Sequence, residues 1–150
     1  MKALELKLPP PFVAAICGLG MWGLPTVPIN DSFLLDLLAL LLAISGVATA
    51  ILGLISFRMA HTTFHPTLTE KTTTLVTSGV YRLTRNPMYL GMLQGLIGFG
   101  FYLNNGLAFL FCMVFVGYMT RFQIQPEEAF LAERFPQTYP EYKTQVRRWI

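Results

Sequence analysis

Charged side chains are scarce in this chain: Asp, Glu, Lys and Arg make up 13% of its 150 residues, against roughly 25% in an ordinary soluble domain. With 53% hydrophobic residues and a mean hydropathy of +0.51, that shortage excludes a typical water-exposed globule and makes the bilayer the expected solvent. Cysteine is nearly absent. Cys17 and Cys112 lie inside apolar runs without Cys-x-x-Cys spacing, so neither a disulfide framework nor a thiolate zinc site is implied. The only histidines, His61 and His65, stand four apart with Glu70 nearby, which would suit a metal on a helical face. Pro66 disfavours helix at that point and no His-Glu-x-x-His pattern exists, so no metal site is expected. A Gly-x-Gly-x-x-Gly turn, a phosphate-binding loop and a Ser/His/Asp set are missing as well, which removes the commonest nucleotide and hydrolase readings.

What the chain does have is long apolar blocks, near residues 12–28, 33–57, 88–103 and 107–122. The second is the longest, and its single charge, Asp36, sits in the first turn, where a carboxylate meets the positive helix end. Asn104-Asn105-Gly106 alone separates the third and fourth, which read as a helical hairpin crossing the membrane fully rather than dipping into it. Near the first block, Glu5 mixes with Lys2 and Lys7 and no small-x-small site follows, a pattern unlike a cleavable leader. The expected fold is therefore all-α: a single integral membrane domain over 1–150, with four transmembrane helices, a C-terminal helical hairpin and a cytosolic C-terminal helical tail.

All eleven basic residues fall on one side of that arrangement, and the turns at residues 30–32 and 104–106 contain none. The positive-inside rule then places both termini in the cytoplasm, in the inner membrane if the source is bacterial, and reads the net charge of +3 as a topology signal rather than a nucleic-acid footprint. Small residues recur along one face of the second block (Ala39, Ala43, Gly46, Ala50, Gly53) and of the third (Gly91, Gly95, Gly98). Such ridges let two helix backbones approach closely, and a slot for a lipid tail is the competing reading.

The polar segments carry the chemistry. Arg82, Arg85, Asn86, Tyr81 and Tyr89 on one side, and Glu127, Glu128, Tyr139, Tyr142, Arg147 and Trp149 on the other, combine aromatics with paired carboxylates, a set suited to a cationic ligand. Pro126 before Glu127 and Glu128 admits a plainer reading, two acids answering the dipole of a helix start. Leu131 and Phe135 share a helical face, as in an interfacial helix lying over a site.

Three runs carry a family resemblance: Leu75-Val76-Thr77-Ser78-Gly79-Val80-Tyr81; Arg85-Asn86-Pro87-Met88-Tyr89-Leu90-Gly91; and Pro126-Glu127-Glu128 with the closing Tyr139-x-x-Tyr142-x-x-x-Val146-x-Arg148-Trp149. Over residues 58–150 the chain resembles the integral-membrane methyltransferases of the isoprenylcysteine carboxyl methyltransferase and phospholipid methyltransferase group, whose signature is Arg-His-Pro-x-Tyr-x-Gly followed by Glu-Glu. The resemblance implies S-adenosylmethionine held between the last two membrane helices and the polar tail, with a lipophilic or prenyl-bearing acceptor entering from the lipid. No nucleic acid and no obligate protein partner are expected. Carried over by residue, Leu75, Val76 and Tyr81 would line the cofactor, Asn86, Pro87, Met88 and Tyr89 would contact it at the start of the third helix, and Glu127 would hold a cationic part of it with help from Glu128. Arg85 would orient an anionic group as the catalytic residue, and Arg121 would meet an acceptor carboxylate.

Asn86 stands where the signature has histidine and cannot titrate near neutral pH. That departure favours an acceptor needing no deprotonation, such as the carboxylate of a prenylcysteine-like molecule. A phospholipid or amine acceptor on the same fold, and a catalytically silent membrane assembly protein, are the competing readings.

Overall fold

The computed structural model describes residues 5–30, 32–59 and 74–150, and His61, His65 and Glu70 lie outside them. Every regular element among the described residues is helical: α1 (Pro10–Trp22), α2 (Phe33–Met59), α3 (Pro87–Tyr102), α4 (Phe109–Met119), α5 (Gln125–Arg134) and α6 (Thr138–Gln145), with short 3₁₀ turns at Gly79–Arg82 and Gly106–Ala108. Two helical stretches are long and apolar enough to cross a membrane, Phe33–Met59 and Gly106–Arg134. α1 and α3 are shorter, at 13 and 16 residues. The first block was expected to run helical toward Pro28, but the helix stops at Trp22, where Gly23 caps it and Pro25 and Pro28 keep the chain extended.

α2 leaves most of its leucines and isoleucines outside the protein, Leu34, Leu40, Leu41, Ile44 and Ile51 among them, each more than half exposed. A surface of that kind is stable against acyl chains and not against water. Its hydroxyls are satisfied within the helix: Ser45 donates to the Leu42 carbonyl, Thr49 to Ser45 and Ser56 to Leu52.

Close backbone approach joins α2 to α3, as the small-residue ridges imply. A Cβ added at Gly46 would meet the Gly91 carbonyl oxygen at 2.6 Å, one added at Gly91 would strike the Gly46 carbonyl, and one at Gly98 would meet the Ala39 carbonyl at 2.8 Å. Gly95 differs, since a Cβ there meets nothing within 4 Å. Gly91→Val is therefore expected to lower stability by about 1–3 kcal/mol through forced separation of the helices, while Gly95→Ala stays near neutral. Thermal unfolding of both variants in detergent checks the pair.

The asparagine turn closes one end of the bundle. Asn105, 2% exposed, accepts from the backbone N–H of Val27 and of Leu107 through Oδ1 and donates to the Pro25 carbonyl through Nδ2. Asn104, with φ of 44°, accepts from Ile29 and Asn30. Residues 25–30 and the turn at 104–106 thus meet, and the buried Asn105 amide replaces the water those backbone groups would otherwise need.

At the opposite end the fourth apolar block does not stop. α4 passes through one π turn, Thr120–Ile124, directly into α5, and Gln125 N–H reaches back to the Thr120 carbonyl. Pro126 accounts for the irregularity, because it has no N–H for the Phe122 carbonyl and its ring crowds the preceding turn. The N-terminal segment supplies what proline cannot: Leu6 N–H donates to that Phe122 carbonyl at 3.0 Å. Gln123 Nε2 donates to the Leu8 carbonyl and Arg121 pairs with Glu5 at 3.1 Å, so the segment is strapped across the π turn. Glu127 and Glu128 consequently lie inside a continuous helix and not at a free helix start, which removes the dipole reading of the pair.

Candidate active site

Beyond Phe122, where the apolar stretch ends, α5 leans over the start of α3 and encloses a cavity of about 730 Å³, open mouth included. The loop before α3 supplies Thr74, Leu75, Val76, Tyr81, Arg85 and Asn86 to its wall; α3 supplies Met88 and Tyr89; the π turn and α5 supply Ile124, Glu127, Glu128 and Leu131. Phe57 at the end of α2 and Tyr139 and Tyr142 of α6 complete it. Eight of the nine positions expected to contact a cofactor are therefore gathered in one hollow.

Pro87 is the exception. It is fully buried at the first position of α3, where its ring faces Gly53 of α2 and aims the helix rather than lining the hollow. Arg121 also lies outside: its guanidinium pairs with Glu5 and covers the Phe122 ring at 5.5 Å. Phe57, Thr74 and Ile124 are wall residues that no motif flagged, since each looks like span or loop filler in the sequence, whereas Leu131 was expected on a helix lying over the site. Tyr139 and Tyr142 carried a signal in the aromatic cluster of the tail.

The adjacent glutamates have opposite environments. Glu127 accepts a 2.6 Å hydrogen bond from the Tyr89 hydroxyl. Burial pushes its carboxyl up to about 7; the Tyr89 bond works against that rise and the neighbouring Glu128 charge adds to it. Glu128 takes Nε and Nη2 of Arg148 at 2.9 and 2.7 Å, and Nη2 of Arg85 at 3.0 Å. Burial opposes its ionisation too, but the Arg148 hydrogen bonds and the Arg85, Arg148 and Lys143 charges outweigh it and hold the carboxyl below the usual range. One glutamate is a carboxyl in search of a cation, and the other is the anchor of two arginines.

That anchor belongs to a frame built by the C-terminal segment. The Arg148 carbonyl accepts from Asn86 Nδ2 at 2.9 Å and from Thr84 Oγ1 at 3.3 Å, the Arg147 carbonyl accepts from Arg85 N–H, and Trp149 Nε1 donates to Thr120 Oγ1. Tyr142 donates to the Tyr81 carbonyl at 2.7 Å, and Leu131 and Phe135 pack on the Tyr139, Tyr142 and Val146 cluster rather than on a membrane surface. The amide of Asn86 is thus a fastener between α3 and the tail, a task that requires a donor and no titration.

Among the described residues no group of three His, Cys, Asp or Glu side chains is placed to hold a metal. What the cavity offers is a half-desolvated carboxyl, aromatic walls and a guanidinium, the donor set for an organic ligand bearing a positive charge.

Comparison with known proteins agrees with that chemistry. The sequence profile described as phospholipid methyltransferase matches residues 35–138, which take in all but the first two residues of α2, then α3, α4, α5 and the cavity wall from Leu75 to Leu131. A protein of Haemophilus influenzae described as uncharacterized is 40% identical over 63 residues, 42% of this chain and the whole of that relative. No solved structure matches. On the profile match over more than half its length, the chain belongs to the phospholipid methyltransferase family and is a membrane-associated methyltransferase.

Proposed function

We propose that the protein transfers a methyl group from S-adenosylmethionine to the carboxylate of a prenylcysteine-like or other small lipophilic acceptor at the cytosolic face of the membrane. The observation that carries this reading is the Glu127 carboxyl, oriented by Tyr89 into a hollow walled by Leu75, Val76, Tyr81, Asn86 and Met88. Bound there, S-adenosylmethionine supplies an electrophilic methyl on a sulfonium cation. Glu127 stabilises positive charge far better in this partly dry site than a carboxylate does in water. Tyr89 fixes its rotamer, and the aromatic walls of Tyr81 and Tyr139 exclude water and face the cation. Alignment of the two reactants accounts for most of the rate, since the chain offers little acid-base machinery.

In this reading α1, α2, α3 and the apolar part of the α4–α5 helix are four spans, with both termini cytosolic, and the short α1 and α3 are accommodated by local bilayer thinning. The joined turns at 25–30 and 104–106 then form the outer end and the arginine-bearing cavity end the inner one. An acceptor keeps its tail in lipid, gaining about 0.8 kcal/mol per buried methylene, and presents its head at the rim beside Phe57.

A second acceptor class has one observation in its favour. A carboxyl near neutrality is matched to removing a proton from an amine, so Glu127 would serve a phospholipid or amine acceptor where Asn86 does not. Titration of S-adenosylmethionine into the detergent-purified protein tests the shared premise, with micromolar binding expected and no binding overturning it. Product analysis separates the acceptors: a methyl ester is cleaved by mild base and an N-methyl group is not.

A further inference from the structure

The π turn decides which glutamate reaches Tyr89. Such a turn takes up one residue more than an α turn, and each residue of an α-helix advances the side-chain direction by about 100°. Continued as a regular α-helix from Thr120, the chain would turn Glu127 into the direction Glu128 now takes and set the Pro126 ring toward Tyr89. Pro126 breaks the regular ladder but does not by itself fix what replaces it, since a kink or a helix end also accommodates a missing N–H.

The amino-terminal segment fixes it. Leu6 N–H occupies the Phe122 carbonyl at 3.0 Å, Gln123 Nε2 donates to the Leu8 carbonyl at 2.6 Å and Glu5 pairs with Arg121 at 3.1 Å, so three consecutive residues of the turn are held. Two of the groups involved are costly to keep. Leu6 holds φ at 57°, in the left-handed region that a leucine rarely adopts. Gln123 is 1% exposed and its Oε1 is buried with no hydrogen-bond partner, so the amide serves only through its Nε2 tether to Leu8. Leu8 in turn packs on the core shared by α1, α3 and α4. Backbone strain of this kind persists where surrounding contacts over-determine it, and it clusters at functional sites. Residues 5–8 lie outside the stretch 35–138 that identifies the family, so family membership says nothing about this strap.

We propose that Leu6 and Gln123 are positioning residues for the candidate active site: by strapping residues 5–8 across the π turn they set the rotation of α5 that presents Glu127 to Tyr89 and leaves Glu128 to the two arginines. The consequence for a methyl donor rests on the reading of Glu127 as the group that meets its cation. The placement of Glu127 does not.

The test uses the full chain in detergent and compares unaltered protein with Leu6→Pro, Leu6→Gly and Gln123→Met. Leu6→Pro removes the N–H and cannot adopt the positive φ, whereas Leu6→Gly keeps the one and favours the other. Gln123→Met keeps the volume and removes the tether. Infrared titration follows the protonated carboxyl of Glu127, identified as the band missing from Glu127→Gln. Tyr81, Arg85, Tyr89, Glu128, Tyr139 and Tyr142 share its cavity wall, and none of the three variants alters them. The expected midpoint is about 7 in the unaltered protein and in Leu6→Gly, and it moves toward the ordinary 4.5 in Leu6→Pro and Gln123→Met as the carboxyl leaves its dry position. Affinity for S-adenosylmethionine falls roughly tenfold in the same two variants and is recovered in Leu6→Gly. A strap that only adds stability would lower the unfolding temperature of both variants without moving the midpoint, and that outcome overturns the inference while leaving the cofactor reading standing. A midpoint at the ordinary value in the unaltered protein overturns it as well. A midpoint that shifts as expected, in a protein whose unaltered form binds no S-adenosylmethionine, supports the positioning role and overturns the cofactor reading instead.

Discussion

Glu127→Gln is expected to bind S-adenosylmethionine roughly 100-fold more weakly than the unaltered protein at pH 8, because a charge-assisted contact in a partly dry site is replaced by a neutral one. The same substitution is expected to stabilise the empty protein at that pH. Burial raises the folded-state carboxyl to about 7, above its ordinary value of 4.5. The folded state therefore holds the proton more tightly than the unfolded chain, so stability falls as pH rises from about 4.5 to about 7 and the whole deficit, on the order of 3 kcal/mol, is in place above pH 7. Glutamine carries no such penalty. Binding in the unaltered protein runs the other way with pH, since only the ionised carboxylate attracts a cation. Affinity should fall about tenfold per unit below pH 7 and level off above it, a roughly 30-fold loss between pH 8.5 and 5.5. Calorimetric titrations across that range, beside unfolding curves at pH 8, check both halves. A flat pH profile for the unaltered protein would show that Glu127 does not hold the cation.

The neighbouring substitution should behave in the opposite manner. Glu128→Ala removes the one carboxylate shared by Arg85 and Arg148, and Arg85, 8% exposed, cannot reach water without moving the loop that carries Thr84 and Asn86. Stripping one partner from a buried pair costs about 3–5 kcal/mol; the partial exposure of Arg148 puts this case near 3. Unfolding temperature in detergent should drop sharply at pH 6, and the drop should shrink toward pH 8, because losing the Glu128 charge removes one of the influences that raise the Glu127 carboxyl and so eases its ionisation. Two adjacent acids thus divide the work, with Glu128→Ala losing the frame and Glu127→Gln keeping the frame and losing the ligand.

The division between them was not legible in the chain. Pro126-Glu127-Glu128 reads by position as a helix start and, with the whole signature, as a cofactor contact, and a start would leave both acids facing free N–H groups. The structure removes the second option through the π turn, which lets the helix run past Pro126 while Leu6 satisfies the orphaned Phe122 carbonyl. Nothing in the sequence near Leu6 announces that partnership, since it joins residues more than a hundred positions apart. The same holds for Asn86. As a departure from the histidine of the signature it raised a question about catalysis, whereas its amide is spent on the Arg148 carbonyl.

Much of the rest was local and therefore readable. Apolar block length and the scarcity of charge determine helices and a lipid solvent, because unpaired backbone groups and charges are costly in hydrocarbon. Glycine spacing determines which faces of α2 and α3 meet, because only residues lacking a Cβ admit carbonyl contact. Motif order determines the family. What only the tertiary structure decided are the partners: which glutamate is held by the Tyr89 hydroxyl, and which is neutralised by two arginines. Those are properties of distance and dielectric between segments remote in the chain, and a one-dimensional pattern contains neither.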